Sequence, residues 1–407
     1  MKKVLVFRSH LLERSETFIR DQVMACTSWN PVLVGFARAR NGLPIDDLEL
    51  RLLDGTRSAW LAKIHRALLA EIGATRRPFV AMCRREAPDL LHAHFGTDAV
   101  MFWPTARRLN RPMLVTLHGQ DITIHRQSWE RNERRFSKRL YPRRLLAMAD
   151  DPRVHFVAVS DDIRQAAIRY GIASERITVR HIGIDLSRFR FSGHPITERA
   201  PRVVFVGRLV EKKGVEYLIR AFARVSQKIV GAQLAILGDG PLSGSLRGLA
   251  ARLGVQVEFF GGVDRTEVAR ELARARVLCL PSVTAANGDA EGMGMVILEA
   301  QACGIPVVTS ARGGKTEAIV DGRTGFAFAE RDVDALTAHL SRLLLDDDLA
   351  SAMSAAAIPH VATHFDIRDC TRRLEELDRI AVGIFQLDLL AAGPDFHFIS
   401  KMQAGFF

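Results

Sequence analysis

Short runs of apolar and β-branched residues recur along this chain of 407 residues, with helical stretches between them, and the series occurs twice. The first series includes VLVF (4–7), LLHAHF (90–95) and MLVTLHG (113–119), and the second begins with VVFVG (203–207) and ends with GFAFA (325–329). Alternation of this kind is typical of βα units on a parallel sheet. The sequence therefore predicts an α/β protein with two Rossmann-like domains that face each other across a cleft.

The length also favours two domains, since 407 residues exceed one ordinary hydrophobic core. The polar stretch FSGHPITERAPR separates the two series. We expect an N-terminal domain over residues 1–190, a linker over 191–202 and a C-terminal domain over 203–380. Residues 381–407 form an apolar C-terminal tail of unknown role.

Composition narrows the class of protein. The chain is 48% hydrophobic and 25% charged, as globular proteins are, and its five cysteines form no C-x-x-C pair. This pattern argues against a disulfide framework or a zinc site and fits a reducing cytoplasm. The apolar run before Arg8 is too short for a signal peptide, and no run reaches membrane-spanning length. We therefore expect a soluble or peripheral cytoplasmic protein.

The excess positive charge lies entirely in the first half of the chain. Residues 1–190 carry 33 lysines and arginines against 20 aspartates and glutamates, whereas residues 191–407 carry 24 against 26. A basic surface attracts nucleic acid, anionic membrane or acidic ligands.

The run VVFVGRLVEKKGVEYLIRAF predicts an anion site in the second domain. A strand ends at Gly207, Arg208 and Lys213 follow in the loop, and an amphipathic helix opens at Gly214. Two cations beside a helix N-terminus act on the same anion as the amide dipoles, which suits a diphosphate. The alternative is that both are solvated loop charges.

The run EGMGMVILE adds two carboxylates around a second helix start. If the helix begins near Gly294, the amides of Met295 and Val296 point at an anion, and Glu299 lies about 7.5 Å further along the axis. That reach suits a ribose whose phosphate is held at the N-terminus. Glu291, on the other side, would face a sugar. Alternatively, Glu291 is a loop charge and Glu299 a solvent-facing helix residue.

Two further motifs carry weaker signals. His118 lies at a strand end beside Gly119 and Asp121, a position that projects into the cleft, although a lone histidine is often structural. The run GDGPLS lacks the third glycine of a dinucleotide fingerprint, so it weakly supports an NAD-dependent enzyme.

Together these motifs resemble the family-4 retaining glycosyltransferases, which have the GT-B fold. The matching runs are E-x7-E from Glu291 to Glu299, GRLVEKKG, GDGP, EAIVDGRTGF (317–326), VSDDI (159–163) and HIGID (181–185). The runs RSETFIRDQV, HAHFG and LHGQD are similar to those of bacterial exopolysaccharide enzymes of the colanic-acid type.

The resemblance implies transfer of a hexose, with retention of configuration, from a nucleotide sugar to a lipid-linked saccharide held by the N-terminal domain. It favours a UDP-sugar over a GDP-sugar. It implies that Arg208 and Lys213, with the backbone at Gly294, Met295 and Val296, hold the diphosphate. Glu299 would bind the ribose, and His118 and Glu291 would act on the sugar. No D-x-D stands at a strand end, so no metal and no cofactor besides the co-substrate is expected.

The first loop departs from the family pattern, because SHLLERSET replaces a glycine pair. Ser15 and Glu16 are therefore only candidates for acceptor or phosphate contacts, and His94 and Asp121 are further candidates.

The basic half also suggests a membrane surface as a partner. Between Arg126 and Arg144, cations alternate with aromatic residues, a pattern that binds anionic lipid at the inner face of the plasma membrane. A solvated helix on the domain flank is the alternative. A nucleic-acid binder is disfavoured because no RRM, KH, zinc or helix-turn-helix signature occurs. A nucleotide-sugar epimerase of similar fold is a further alternative.

Overall fold

A computed structural model describes residues 1–40, 42–53, 77–131 and 136–391 of the chain. These residues fall into two compact units. The first unit combines Met1–Gly183 with the chain from Ile367 onward, and the second unit is Ile184–Asp366.

Seven parallel strands form the sheet of the first unit within the described residues, in the order β5-β3-β1-β6-β7-β8-β9. Two short strands, β2 and β4, pair separately. The strands are β1 Lys2–Phe7, β2 His10–Leu11, β3 Trp29–Gly35, β4 Ala37–Arg38, β5 Leu50–Leu52, β6 Leu90–His94, β7 Met113–Leu117, β8 Val154–Ala158 and β9 Ile177–Val179. Every residue of β6, β7 and β8 is buried, as expected for parallel strands covered on both faces.

Helices connect these strands. In the described part of the first unit they are α1 Thr17–Ala25, α2 Arg77–Arg85, α3 Gly96–Leu109, α4 Gln120–Thr123, α5 Arg126–Glu130, α6 Phe136–Ala149, α7 Asp161–Tyr170 and a short 3₁₀ helix, Ser174–Arg176.

The second unit repeats the plan with six parallel strands in the order β12-β11-β10-β13-β14-β15. The strands are β10 Arg202–Val206, β11 Gln233–Leu237, β12 Glu258–Gly261, β13 Val277–Leu280, β14 Val307–Ser310 and β15 Gly325–Phe328. The helices are α8 Val215–Lys228, α9 Ser243–Arg252, α10 Arg265–Arg274, α11 Met295–Ala302, α12 Val333–Leu345 and α13 Asp347–His364, with 3₁₀ turns at Ile196–Glu198 and Glu211–Lys213.

The segment predicted as a linker, 191–202, packs into the second unit instead. Ile196 is buried, and Arg199, also buried, donates a hydrogen bond of 3.0 Å to the carbonyl of Ala275. Ile184 and Phe189, placed in the first domain by the sequence, belong to the apolar core of the second unit. The second unit therefore begins about seven residues before the expected linker, at Ile184.

The last described helix, α14 (Ile367–Ala391), returns to the first unit, although residues up to 380 were assigned to the second domain. Leu374, Leu377 and Val382 lie in the core of the first unit, together with residues of β1 and α1. The helix returns to the first unit because its apolar face packs against apolar residues of β1 and α1, near the start of the chain. The predicted tail thus begins inside a helix, and residues 392–407 lie outside the described residues.

No helix in the described part of the chain is both long enough and apolar enough to cross a bilayer.

Candidate active site

The topology of the second sheet places one ligand position. β10 is the first strand of this sheet in the chain but lies between β11 and β13. The chain runs outward through β11 and β12 on one side of β10 and then crosses to β13 on its other side. In open α/β sheets, ligands bind at such a switch point, outside the carboxyl ends of the strands. The loops that follow β10 and β13 meet there, and they carry the predicted diphosphate and sugar residues.

These two loops of the second unit are bound tightly to each other. The amide of Val283 donates to the carbonyl of Lys212 at 2.8 Å, and the Lys212 ammonium pairs with Asp289 at 2.9 Å. Gly214 has a φ of +62°, and a Cβ atom there would lie 2.0 Å from the carbonyl oxygen of Pro281. Only glycine permits this approach. The loop after β10 is therefore held in one place against the loop after β13.

Lys213 forms an ion pair with Glu291, so two residues predicted to bind different parts of a ligand are adjacent. Both side chains are mostly buried. Burial favours the neutral acid, but the ammonium groups of Lys213, Lys212 and Lys315 outweigh it and lower the pKa of Glu291 to about 2. Glu291 is consequently a carboxylate throughout the physiological range and can accept hydrogen bonds from hydroxyl groups.

The second carboxylate, Glu299, lies on α11, whose N-cap is Gly294 in the left-handed conformation. The first amides of a helix have no acceptor within it, and the first turn of α11 carries no acidic side chain to satisfy its dipole. Met295 and Glu299 are half-buried, and Val296 is buried. The start of α11 is therefore suited to an anion, with a carboxylate one turn further along.

Arg208 directly follows the end of β10 and Gly207, and its side chain is exposed. Among the described residues it has no ion-pair partner, unlike the neighbouring Lys212 and Lys213. An exposed guanidinium beside a helix start can clamp a phosphate in a bidentate manner.

The GDGP run has a structural role at this edge. A Cβ atom at Gly238 would lie 1.9 Å from the carbonyl oxygen of Gly207, and Leu209 donates its amide to the carbonyl of Asp239 at 2.9 Å. The glycine thus lets two loops meet.

In the first unit, His118 follows β7 directly, and Asp121 organises the loop around it. The Asp121 carboxylate accepts the amides of Gly96 at 2.8 Å, Gly119 at 2.9 Å and His118 at 3.2 Å. Burial raises the pKa of Asp121, while these backbone bonds lower it in part. Asp121 is fully buried, which corrects its assignment as a ligand contact.

His94, at the end of β6, contacts His118 directly. Its Nδ1 lies 3.0 Å from His118 Nε2, and the two rings stack with centroids 5.2 Å apart. His94 is only 1% exposed, whereas His118 is half-buried. Of these two histidines, His118 alone is placed to touch a ligand, so the assignment of His94 as an acceptor contact is corrected as well.

The first loop is built around Arg8, a residue that the sequence did not single out. Arg8 pairs with Glu16 and, at 2.6 Å, with Asp98, and its guanidinium lies 4.4 Å from the centre of the Phe95 ring. Glu16 is therefore a buried partner of Arg8 and not an exposed acceptor contact. Ser15 is exposed, so it is the member of this pair that a ligand could reach.

Two lysines near Glu291 were absent from the sequence-based site. Lys212 adjoins Lys213 in the chain, and Lys315 follows β14 in the run GGKTEAIV and is buried. The position of Lys315 after a strand end was an available signal, but only the folded loops reveal that its charge acts on Glu291. Within the described ranges, no group of three or more His, Cys, Asp or Glu side chains could hold a metal ion.

The basic segment between Arg126 and Arg144 differs from the expectation in its aromatic residues. Trp129 and Tyr141 are both buried and pack against each other, with ring centroids 4.9 Å apart. They belong to the core and cannot insert into lipid. Residues 132–135 of this segment lie outside the described residues.

Two family profiles together match most of the chain. The profile described as "Glycosyl transferases group 1" matches residues 188–359, and the one described as "Glycosyltransferase Family 4" matches residues 47–188. The border between them falls close to the border of the two compact units.

Individual relatives of the chain are glycosyltransferases as well. The chain is 30% identical to the amylovoran biosynthesis glycosyltransferase AmsK of Erwinia amylovora, over 77% of this chain and 74% of AmsK. It is 39% identical to the GDP-mannose-dependent alpha-(1-6)-phosphatidylinositol monomannoside mannosyltransferase of Mycolicibacterium smegmatis, over 44% of this chain. The match to this second relative spans about half of its length, 47%.

A solved structure, that of Anabaena Alr3699/HepE in complex with UDP-glucose, is similar in fold, with a TM-score of 0.73. The identity is 20%, and the likeness covers 93% of this chain and 99% of HepE. The predicted α/β architecture of the GT-B type is confirmed by this likeness and by the two parallel sheets.

Proposed function

Because the chain belongs to the glycosyltransferases of group 1 and family 4, we propose that it transfers a hexose from a nucleotide sugar to a lipid-linked saccharide. The product would enter a bacterial exopolysaccharide or another cell-surface polysaccharide, as the name of the relative AmsK suggests. The observation that carries the proposal is the group of charges at the switch point of the second sheet, where Arg208, Lys213, Glu291 and the start of α11 lie on two interlocked loops.

The charges suit the chemistry of a departing nucleoside diphosphate. Negative charge develops on the diphosphate as the bond to the sugar breaks, and cations together with helix amides stabilise it. Arg208, Lys213 and the amides of Met295 and Val296 would supply that stabilisation, so we propose transfer without a divalent metal.

The two carboxylates divide the rest of the donor between them. Glu299, one turn along α11, would accept hydrogen bonds from the ribose hydroxyls, and Glu291, ionised beside Lys213, would accept those of the sugar. We further propose that His118 hydrogen-bonds the sugar during transfer and that the anomeric configuration is retained.

The nucleotide is proposed to be UDP. The HepE structure holds UDP-glucose and supports this choice, whereas the M. smegmatis relative is GDP-mannose-dependent and makes GDP-mannose the main alternative donor.

We propose a peripheral position at the cytoplasmic face of the membrane, where a lipid-linked acceptor lies. With Trp129 and Tyr141 buried, the attraction would rest on exposed cations such as Arg131, Arg139 and Arg143. Replacing these three arginines should abolish sedimentation with anionic liposomes at low salt, and unchanged sedimentation would contradict the membrane proposal.

A donor screen tests the enzyme activity. Purified protein is incubated with UDP-, GDP- and ADP-hexoses and a lipid-linked saccharide fraction, and the released nucleoside diphosphate is measured. Turnover that requires the acceptor supports a transferase, whereas donor conversion without acceptor would favour an epimerase. The absence of turnover and of nucleotide binding with every donor would contradict the proposal.

Variants of the two carboxylates test their roles. Glu299→Ala should weaken nucleotide binding, and Glu291→Ala should mainly lower kcat. Glu216→Ala is a matched control, since Glu216 is an exposed glutamate near the start of α8. The reverse pattern would mean that the two carboxylates exchange roles.

A further inference from the structure

Three histidines of the first unit form a column: His92 and His94 lie on β6, and His118 follows the end of β7. His92 and His94 stack with ring centroids 4.5 Å apart, and His94 in turn stacks on His118. His92 Nε2 is bonded to the hydroxyl of Thr116 at 2.7 Å, while His94 Nδ1 lies 3.0 Å from His118 Nε2. His118 is the end of this column that a ligand can reach.

The bond between His94 and His118 has two alternative directions. A neutral imidazole carries one N–H and one lone pair, so one ring must donate and the other accept. Burial, the neighbouring histidines and the Arg8 charge lower the pKa of both rings well below the ordinary value. Both are therefore neutral, and a single proton position decides what His118 offers to a ligand.

The other nitrogen of His94 selects between the two directions. His94 Nε2 is buried, and no described residue provides it with a hydrogen-bond partner. If His94 accepted the bond through Nδ1, its Nε2 would carry the proton and bury an unpaired N–H group. Unpaired buried N–H donors are rarer than unpaired acceptors. The favoured arrangement puts the His94 proton on Nδ1, where it is donated to His118.

We propose that His94 is a positioning residue, whose Nδ1–H donates to His118 Nε2 and so holds His118 as the Nδ1–H tautomer. His118 then presents an N–H donor to its ligand in place of a lone pair. Such a donor suits an oxygen of the transferred sugar that gains negative charge or loses hydration during reaction. The assignment of a sugar oxygen as the ligand of His118 rests on the proposed function, whereas the tautomer of His118 does not.

The surroundings fix the orientation of both rings. Phe18 and Phe95 flank the His118 ring, with centroids at 4.8 Å and 4.4 Å. Asp121 holds the His118 amide, and His92 covers the opposite face of His94. These contacts restrict the rotation of both rings, and all of them come from the first unit itself.

The tautomer of His118 can be measured directly by long-range ¹H–¹⁵N correlation on protein with labelled histidine, with the signals assigned through His118→Gln. In the wild type we expect a protonated Nδ1 and an unprotonated Nε2. In His94→Phe, which keeps a ring but removes the donor, His118 should return to the Nε2–H form that a histidine side chain prefers in water. His94→Asn, whose amide places an N–H close to the position of Nδ1, should preserve the Nδ1–H form.

Activity provides the second readout. His94→Phe should lower kcat by about tenfold to a hundredfold, by analogy with the loss of groups that orient metal-bound histidines. Nucleotide affinity should be unchanged, and His94→Asn should retain most of the activity. His155→Phe is the matched control, because His155 is also buried, lies on the neighbouring strand β8, bonds Thr178 at 2.8 Å and does not touch His118.

An Nε2–H tautomer of His118 in the wild type would overturn the proposal, as would an Nδ1–H form that persists in His94→Phe. If the tautomer is as expected but His118→Ala retains full turnover, the hydrogen bond is upheld and the role of His118 in the proposed function is contradicted. If His94→Phe does not fold, the wild-type spectrum and His94→Asn still decide.

Discussion

Glu375 on α14 should anchor the returning helix to the first unit. Its side chain is 1% exposed, and one carboxylate oxygen accepts three consecutive amides, those of Thr27 at 2.9 Å, Ser28 at 2.8 Å and Trp29 at 3.0 Å. The other oxygen accepts the Thr27 hydroxyl at 3.2 Å. Removing this carboxylate in Glu375→Ala leaves every one of these donors without its acceptor.

The cost of Glu375→Ala follows from which donors water can reach. Trp29 is buried, so its amide stays unpaired at a cost of about 1–3 kcal/mol, whereas Thr27 and Ser28 are exposed residues whose amides can bond to water and lose about 0.5–1.5 kcal/mol each. The sum is about 4 kcal/mol of unfolding free energy. At about 2–4 °C per kcal/mol, the melting transition of the first unit should fall by about 10 °C.

Calorimetry measures this shift, and Glu376→Ala is the control. Glu376 is the next residue on the same helix, is half-exposed and pairs with Arg372 at 3.1 Å, so its removal should change stability by less than about 0.5 kcal/mol. Equal shifts for the two variants, or a shift of less than about 2 °C for Glu375→Ala, would refute the anchoring role.

Three further outcomes follow from the same structure. The pKa of Glu291 is lowered to about 2, so the ionised carboxylate stabilises the fold above its ordinary pKa. This stabilisation is lost as pH falls towards about 2. The difference in Tm between wild type and Glu291→Gln should therefore be constant at neutral pH and vanish in strong acid. Burial raises the pKa of Asp378 well above its ordinary value, so its contribution to folding stability is present below that ordinary value and lost as pH rises. Asp378→Asn should therefore raise the urea midpoint at pH 8 but not near pH 4. A difference that does not depend on pH would contradict this. Gly214→Ala should abolish nucleotide binding and destabilise the second unit, because the new Cβ meets Pro281, whereas Gly231→Ala, with a φ of +77° and nothing within 4 Å, should cost only about 1–2 kcal/mol and leave binding intact.

Much of the fold was predictable because each buried strand is visible in the sequence as a short apolar run. The run VLVF lies in β1, MLVTL is β7, and the cations after VVFVG follow the end of β10. Parallel strands covered on both faces require such continuous apolar runs. The family was predictable for the same reason, since its motifs stand at the ends of these runs.

The unit against which α14 packs was not predictable, because the sequence of an amphipathic helix does not show which surface its apolar face contacts. Glu375 finds the amides of Thr27–Trp29 almost 350 positions earlier in the chain. Only folding brings these groups together.

The roles of His94 and Asp121 were also hidden in the sequence. Both are polar residues at strand ends, where ligand contacts and internal hydrogen bonds look alike. The structure distinguishes them through burial and partners: Asp121 accepts three backbone amides, and His94 bonds to His118 through Nδ1. Glu291 and Glu299 differ from these two, because they stay partly exposed beside cations and a helix start.

We propose that one nucleotide sugar binds at the carboxyl edge of the second sheet. The most direct measurement is the position of the nucleotide in crystals grown with UDP or GDP. We expect the diphosphate at the N-terminus of α11, in contact with Arg208 and Lys213, and the ribose hydroxyls at Glu299. A nucleotide bound away from these residues, or a ribose remote from Glu299, would contradict it.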